Sequence, residues 1–359
     1  MGIFIALLVL SFLIFFHELG HFLAARLFGV RVDVFSIGFG KRIFTKKIGD
    51  TEWSISAIPL GGYVKMKGQD DTNPTLVSSD SDSYTQKKPW QRIAILLAGP
   101  FANFFIAFLL YFGASQIGVY LSPLFDYGHY MSATVGEFSE ESPAKRAGIQ
   151  TDDKIVEING VKITNWNEIG ETIQKFDGTL NFSVIRDGKL LQFGIDPILK
   201  EQKNKFGESI QRKLIGIAPK ITESRLTFSP MEGLKFAYHE TMVASTLIFK
   251  SIEKLISGAV PANQLGGVIT IVDITAKASQ SGIIALLFFT ALISVNLGVL
   301  NLLPIPALDG GHIMFNLYEI VVGKPPSESM AYRLTLIGWG ILLSLMLLGV
   351  YNDINRLLG

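Results

Sequence analysis

The chain is 359 residues long, 48% hydrophobic and only 18% charged, with a mean hydropathy of +0.37. Soluble domains carry about 25% charged residues, so these proportions point to a membrane protein. A net charge of +1 offers no basic footprint for nucleic acid, and the absence of cysteine excludes disulfides, thiol catalysis, cysteine-ligated zinc and iron–sulfur clusters.

Any metal must therefore sit on His, Asp or Glu, and the histidines are His17, His21, His129, His239 and His312. The apolar excess is concentrated in four runs, Ile3 to Phe28, Ile93 to Val119, Ile283 to Leu303 and Leu334 to Val350. A bilayer-crossing helix needs roughly 20 mainly apolar residues. The runs predict an α-helical membrane protein with four transmembrane helices around one soluble insert. The first run has no basic residue before it and no cleavage site after it, so it reads as a span and not as a signal peptide.

Within that first run lies His17-Glu18-Leu19-Gly20-His21, an H-E-x-x-H pattern. Positions i and i+4 share one helix face, so both imidazoles can reach one metal ion. Glu18 beside them can act as general base on water activated by the metal. Ionisable groups inside a membrane helix are costly and mark function by default. The following loop, Arg26 to Arg92, holds eleven Lys and Arg, which places it in the cytoplasm and puts the N-terminus and the insert outside. Residues 67 to 90 read as a mobile polar loop. Gly99-Pro100-Phe101-Ala102-Asn103 stands in the second run.

Residues 120 to 225 are soluble in composition, with strand-like alternation over Leu180–Ile185 and a tight-turn signal at Asn159-Gly160. After them, Ser229-Pro230-Met231-Glu232 combines an N-cap, Pro at N1 and Glu at N3. Leu234, Tyr238, Met242, Ile248, Ile252 and Leu255 then recur at helical spacing, which predicts an amphipathic helix over 229–258 at the outer membrane surface or packed on the spans. The third run leads into Asn301-Leu302-Leu303-Pro304-Ile305-Pro306-Ala307-Leu308-Asp309-Gly310-Gly311-His312. The two prolines should end the helix, and Asp309 should begin the next. A catalytic zinc usually has three protein ligands, and spacing alone leaves Asp309 and His312 as rivals for the third place. His17 stands about 22 Å into its helix, on the same inner side as this segment.

Taken together, the H-E-x-x-H helix, the Gly99–Asn103 segment and Asn301 through Gly311 resemble the site-2 protease family of intramembrane zinc metalloproteases. Within it, Leu292–Gly298 and Leu308–His312 are most similar to the bacterial regulator of sigma-E proteases. The resemblance implies Zn2+ held by His17, His21 and Asp309, with Glu18 as catalytic acid/base. It implies substrate handling by Asn296 and Asn301, and a small membrane-associated β segment, Ile58–Met66, that pairs extended substrate through Gly61, Gly62, Tyr63 and Val64. Ser142–Ile149 and Asp153–Gly160 look like a bacterial PDZ domain over 130–220, α+β in class, with Asn165–Phe176 as its helix and Asp152 where the family often has Gly. The regulator of sigma-E proteases carry two such domains in tandem, whereas this insert has room for one.

The expected organisation is 1–119 with the first two spans and the zinc motif, 130–220 the periplasmic PDZ domain, 229–258 the amphipathic helix, and 283–359 the last two spans with the third ligand. The expected partners are a single-pass transmembrane substrate (an anti-sigma factor or a remnant signal peptide), the lipid bilayer of the bacterial inner membrane, and a peptide ligand of the PDZ domain. The active site is expected near the cytoplasmic side. A PDZ-bearing scaffold would have no use for Glu18. A metal transporter or sensor would line a path with further carboxylates, which the chain lacks.

Overall fold

Twenty-six residues from Gly2 to Leu27, mainly apolar apart from His17, Glu18, His21 and Arg26, form a single helix, α1. The computed structural model describes residues 2–69, 78–120, 127–204, 208–221 and 225–358. The described residues form two compact units, one of 1–117 with 228–359 and one of 118–227.

In the first unit, α1 is followed by the long strands β1 (Val32–Ile48) and β2 (Thr51–Met66) and then by α2 (Pro89–Ile117). Both strands bend. Val34, Phe35, Ser36 and Ile37 face Glu52, Trp53, Ser54 and Ile55 on one side and Lys65, Val64, Tyr63 and Gly62 on the other. Gly38 and Gly40, at φ +88° and +82°, turn β1 away after this central stretch, and a Cβ on Gly38 would meet the Ile58 and Ser56 carbonyls. Phe35 stacks on Trp53, and Phe15 and Phe22 of α1 pack edge-on against Phe35, which fastens the sheet to the helix.

The centre of the polar 67–90 stretch lies outside the described residues. Its flanks are not loose, contrary to the sequence expectation. Arg31 and Tyr84 backbone amides donate to the Asp82 and Lys67 carbonyls, and Ser83 and Tyr84 are buried. Lys67 Nζ donates to Asp82 Oδ1 at 2.7 Å and holds that carboxyl below its ordinary pKa. Polar composition concealed this, because the anchoring runs through backbone groups.

The second unit runs through β3 (Val119–Tyr120), β4 (Val135–Phe138), α3 (Pro143–Arg146), β5 (Lys154–Ile158), β6 (Val161–Lys162), α4 (Trp166–Lys175), β7 (Leu180–Arg186) and β8 (Lys189–Ile195). It continues with β9 (Ile198–Lys203), β10 (Ser209–Leu214), β11 (Ile217–Pro219) and β12 (Arg225–Leu226). Four strands form a sheet in the order β6-β5-β7-β8, and β4–β11, β9–β10 and β3–β12 pair separately. Ile155, Ile158, Phe182 and Val184 of the sheet close on Ile169 and Ile173 of α4 in one core. Asn159 and Gly160, at φ +47° and +81°, make the tight turn that their sequence predicts. Asp152 adopts φ +74°, so it keeps the left-handed turn that a glycine would make, and its carboxylate pairs with Lys220. Buried Asp153 accepts two bonds from Arg186, at 2.7 and 2.6 Å.

Back in the first unit, α5 (Pro230–Ile256) begins with the predicted capping box between Ser229 and Glu232. It packs on α2 and, further along the chain, on α7 (Ile283–Asn301). The buried stripe is Gly233, Phe236, Ala237, Glu240, Thr241 and Ala244, whereas Leu234, Tyr238 and Met242 are exposed. The sequence leaves this helix either at the outer membrane surface or packed on the spans. The structure buries mainly small and polar residues, which let helices approach closely, and turns the larger apolar residues outward. Before α7 comes a helix the sequence reading did not foresee, α6 (Val268–Gln280). Its first turn is capped by buried Asp353, which accepts from the Gly267 and Thr270 amides.

The chain ends with α8 (Asp309–Val322) and α9 (Glu328–Leu358). By length and apolarity α1, α2, α7 and α9 can each cross a membrane, as the four runs predict. Close contact between them is made by glycine. A Cβ on Gly20 would lie 2.2 Å from the Ala98 carbonyl oxygen, and one on Gly298 would lie 3.3 Å from the Pro100 carbonyl oxygen.

Candidate metal centre

His17 and His21 lie one turn apart on α1, and their Nε2 atoms are 3.2 Å from each other. Asp309, the first residue of α8, brings Oδ2 to 3.4 Å from each of these nitrogens. Asp309 reaches them because Pro304 and Pro306 end α7 and turn the chain. Gly310 and Gly311 then let α8 start tightly against that turn, where a Cβ would lie 2.3 Å from the Leu303 and Ile305 carbonyl oxygens.

The three atoms form a nearly equilateral triangle. Two nitrogens and an oxygen held about 2.0–2.1 Å from zinc at tetrahedral angles are about 3.3 Å apart. Asp309 Oδ2 is buried and has no hydrogen-bond partner, and a divalent cation would satisfy it. The donor set of two imidazoles and one carboxylate leaves one tetrahedral position open, as in catalytic zinc sites. His17, His21 and Asp309 thus fit zinc. His312 is not part of the triangle. It lines the same cleft with its ring edge-on to Phe315.

Neighbouring groups hold the imidazoles in place. His21 Nδ1 lies 2.8 Å from the Ile95 carbonyl of α2, which accepts its hydrogen and leaves Nε2 free for metal. The ring lies over Gly99, where a Cβ would sit 2.2 Å from His21 Nε2. Gly99→Ala is expected to weaken zinc binding by about 10–100-fold, the range for a disturbed ligand support, in a chelator-competition titration of the purified protein. Asn103, one turn after Gly99 on the same face of α2, has Nδ2 at 3.1 Å from His17 Nδ1. The sequence motif contained both residues, and their i, i+4 spacing marks a shared helix face, yet the sequence reading gave neither a role at the metal.

The cleft is lined by His17, Glu18, His21, Gly62, Tyr63, Val64, Met66, Gln69, Leu96, Asn301, Ala307, Leu308, Asp309 and His312. It therefore unites α1, β2 and the start of α8. Gly62 runs so close to α1 that a Cβ would fall 2.8 Å from Ile14 Cγ2 and 3.1 Å from Glu18 Cγ. Gly61, at φ +151°, lies against the Phe39 ring and outside the lining. Tyr63 accepts a bond from Arg42, which also pairs with Glu52. Asn301 reaches the cleft, whereas Asn296 stays half-buried on α7 away from it. Gln69 and Leu96 are additions that no motif announced, and Met66 closes the Ile58–Met66 segment without a role of its own in the sequence reading.

A profile of peptidase family M50 matches residues 5–345. A protein of Campylobacter jejuni described as a putative zinc metalloprotease is 46% identical over 353 residues, covering 98% of this chain and 93% of its own. A similarly described Helicobacter pylori protein is 38% identical over 364 residues, covering 99% of each chain, and one of Agrobacterium fabrum is 35% identical over 371 residues. The family match across most of the sequence, four apolar helices and a triangle of imidazole and carboxylate atoms sized for zinc agree: the chain belongs to peptidase family M50, the site-2 proteases, as a membrane zinc metalloprotease.

Proposed function

We propose that the protein is an intramembrane endopeptidase that hydrolyses peptide bonds within or beside the transmembrane segment of single-pass proteins. The observation that carries this reading is the meeting of the His17–His21–Asp309 triangle, Glu18 and the β2 stretch from Gly62 to Met66 in one cleft among apolar helices. Zinc, when bound, polarises the scissile carbonyl and acidifies the attacking water. Glu18 takes the proton of that water and returns it to the leaving amine.

A helical substrate hides its carbonyls in its own hydrogen bonds, so a peptide must be extended before it can be cut. In this reading β2 supplies the partner. Residues 62–65 pair with β1 along one edge, and the other edge accepts substrate by strand addition. Gly62, Tyr63 and Val64 lie alongside the substrate, and Gly61 shapes the strand where it crosses Phe39. Asn301 bonds substrate backbone from the cleft wall, and Asn296, outside the lining on α7, meets substrate beyond the cleft.

The second unit is read as a single PDZ domain that binds peptide or excludes bulky ectodomains. Its Asn159-Gly160 turn, its α4 and its glycine-like Asp152 support that reading. The basic 26–92 loop supports a bacterial inner-membrane orientation with this unit periplasmic and the cleft toward the cytoplasm, and α5 at the outer surface. The substrates that fit are anti-sigma factors or remnant signal peptides already trimmed outside, in regulated intramembrane proteolysis.

The test is cleavage of a reconstituted single-pass substrate before and after zinc chelation. Chelation is expected to abolish cleavage, and added zinc to restore it. Cleavage that survives complete metal removal, or a zinc-loaded protein that leaves every single-pass substrate intact, would sink the reading.

A further inference from the structure

The metal triangle uses two imidazoles, and each has an outer nitrogen that must be satisfied. His21 Nδ1 has the Ile95 carbonyl at 2.8 Å. The outer nitrogen of His17 faces a side chain instead, the carboxamide of Asn103 on α2, at 3.1 Å. Asn103 is 0% exposed, and its backbone is pinned, since its carbonyl accepts from Ser294 Oγ of α7 at 2.7 Å. Its Oδ1 is buried with no partner. The carboxamide nitrogen and oxygen exchange places by a half-turn of the terminal bond, with almost no change of shape.

We propose that Asn103 is a positioning residue for the metal centre, its carboxamide oxygen accepting the His17 Nδ1 hydrogen and aiming Nε2 at the point shared with His21 and Asp309. The argument rests on the zinc reading of the triangle. When Nε2 is a ligand, the ring hydrogen sits on Nδ1 and needs an acceptor. With Nδ2 toward His17, two donors face each other and a buried oxygen is left unmatched. With Oδ1 toward His17, Nδ2 takes the place that Oδ1 held, the ring hydrogen gains an acceptor and no two donors oppose each other, so the arrangement with facing donors is the costlier one. Asn103 would then give His17 what the Ile95 carbonyl gives His21. α2 would supply the outer partner of both imidazoles, from positions eight residues apart on a helix already held close by Gly20 and Gly99.

The experiment measures zinc affinity of the intact purified protein by competition with a chromophoric chelator, with Co2+ absorption as a second readout of ligand geometry. Asn103→Leu is expected to bind zinc about 10–100-fold more weakly and to alter the Co2+ spectrum. Asn103→Asp, which keeps an acceptor facing Nδ1, is expected to stay much closer to wild type. Should Asn103→Leu fail to fold, Asn103→Ala, which adds no bulk, carries the same expected loss. Equal affinities in wild type and Asn103→Leu, or an Asn103→Asp protein as weak as Asn103→Leu, would overturn the assignment. A wild-type protein that takes up no zinc would instead overturn the metal reading beneath it.

Discussion

Glu18→Gln is expected to reduce cleavage of a single-pass substrate by about 10²–10⁴-fold, the range for removing a general acid–base, while zinc content stays at the wild-type level. The separation follows from the geometry. The atoms grouped closely enough to hold a metal ion belong to His17, His21 and Asp309, and Glu18 is not among them. Gln has nearly the same shape as Glu, so the close passage of Gly62 over the Glu18 side chain is preserved. The measurement pairs a gel-based cleavage assay with metal analysis of the same preparation. Equal cleavage by both proteins would remove Glu18 from the chemistry. Loss of zinc together with activity would show that the carboxylate holds metal.

Asp309→Ala is expected to weaken zinc binding by more than about 100-fold, beyond the effect of disturbing an outer partner, and to abolish cleavage. His312→Ala is expected to leave zinc affinity within a few-fold of wild type. Sequence spacing left these two residues as rivals. In the structure Asp309 Oδ2 is equidistant from both imidazoles, whereas His312 lies three residues on and turns its ring to Phe315. Metal analysis of the two variants decides the matter, and retained zinc in Asp309→Ala with loss in His312→Ala would reverse the assignment.

The site was largely legible in the sequence because its parts are local. An i, i+4 histidine pair needs only helical periodicity, and Pro304, Pro306 and the paired glycines announce a broken helix before Asp309. The four spans were legible for a similar reason, since an apolar run of that length has few other uses. The packing face of α5 was not. Periodicity finds the apolar stripe, but the buried face of α5, which packs on α2 and α7, carries Gly233, Ala237, Thr241 and Ala244, and the larger apolar residues Leu234, Tyr238 and Met242 face outward. The helix α6 escaped notice because its N-cap partner, Asp353, lies far along the chain. Asn103 stands in the Gly99–Asn103 motif, but its meaning depends on a ring on another helix. Long-range partners of that kind leave no local periodicity to read.

The last helix has a contact that ties it to the chemistry. Gly338, about a third of the way along α9, is seated so tightly on the Pro306–Ala307 turn that a Cβ there would be 2.1 Å from the Pro306 carbonyl oxygen. Three residues later that turn delivers Asp309. Near its end α9 grips the 262–270 segment through Asn352, Asp353 and Arg356. The helix is therefore a lever with one bearing at the start of α6 and another at the ligand-carrying turn. A rigid tilt of α9 that displaces either bearing must move the other or bend the rod between them.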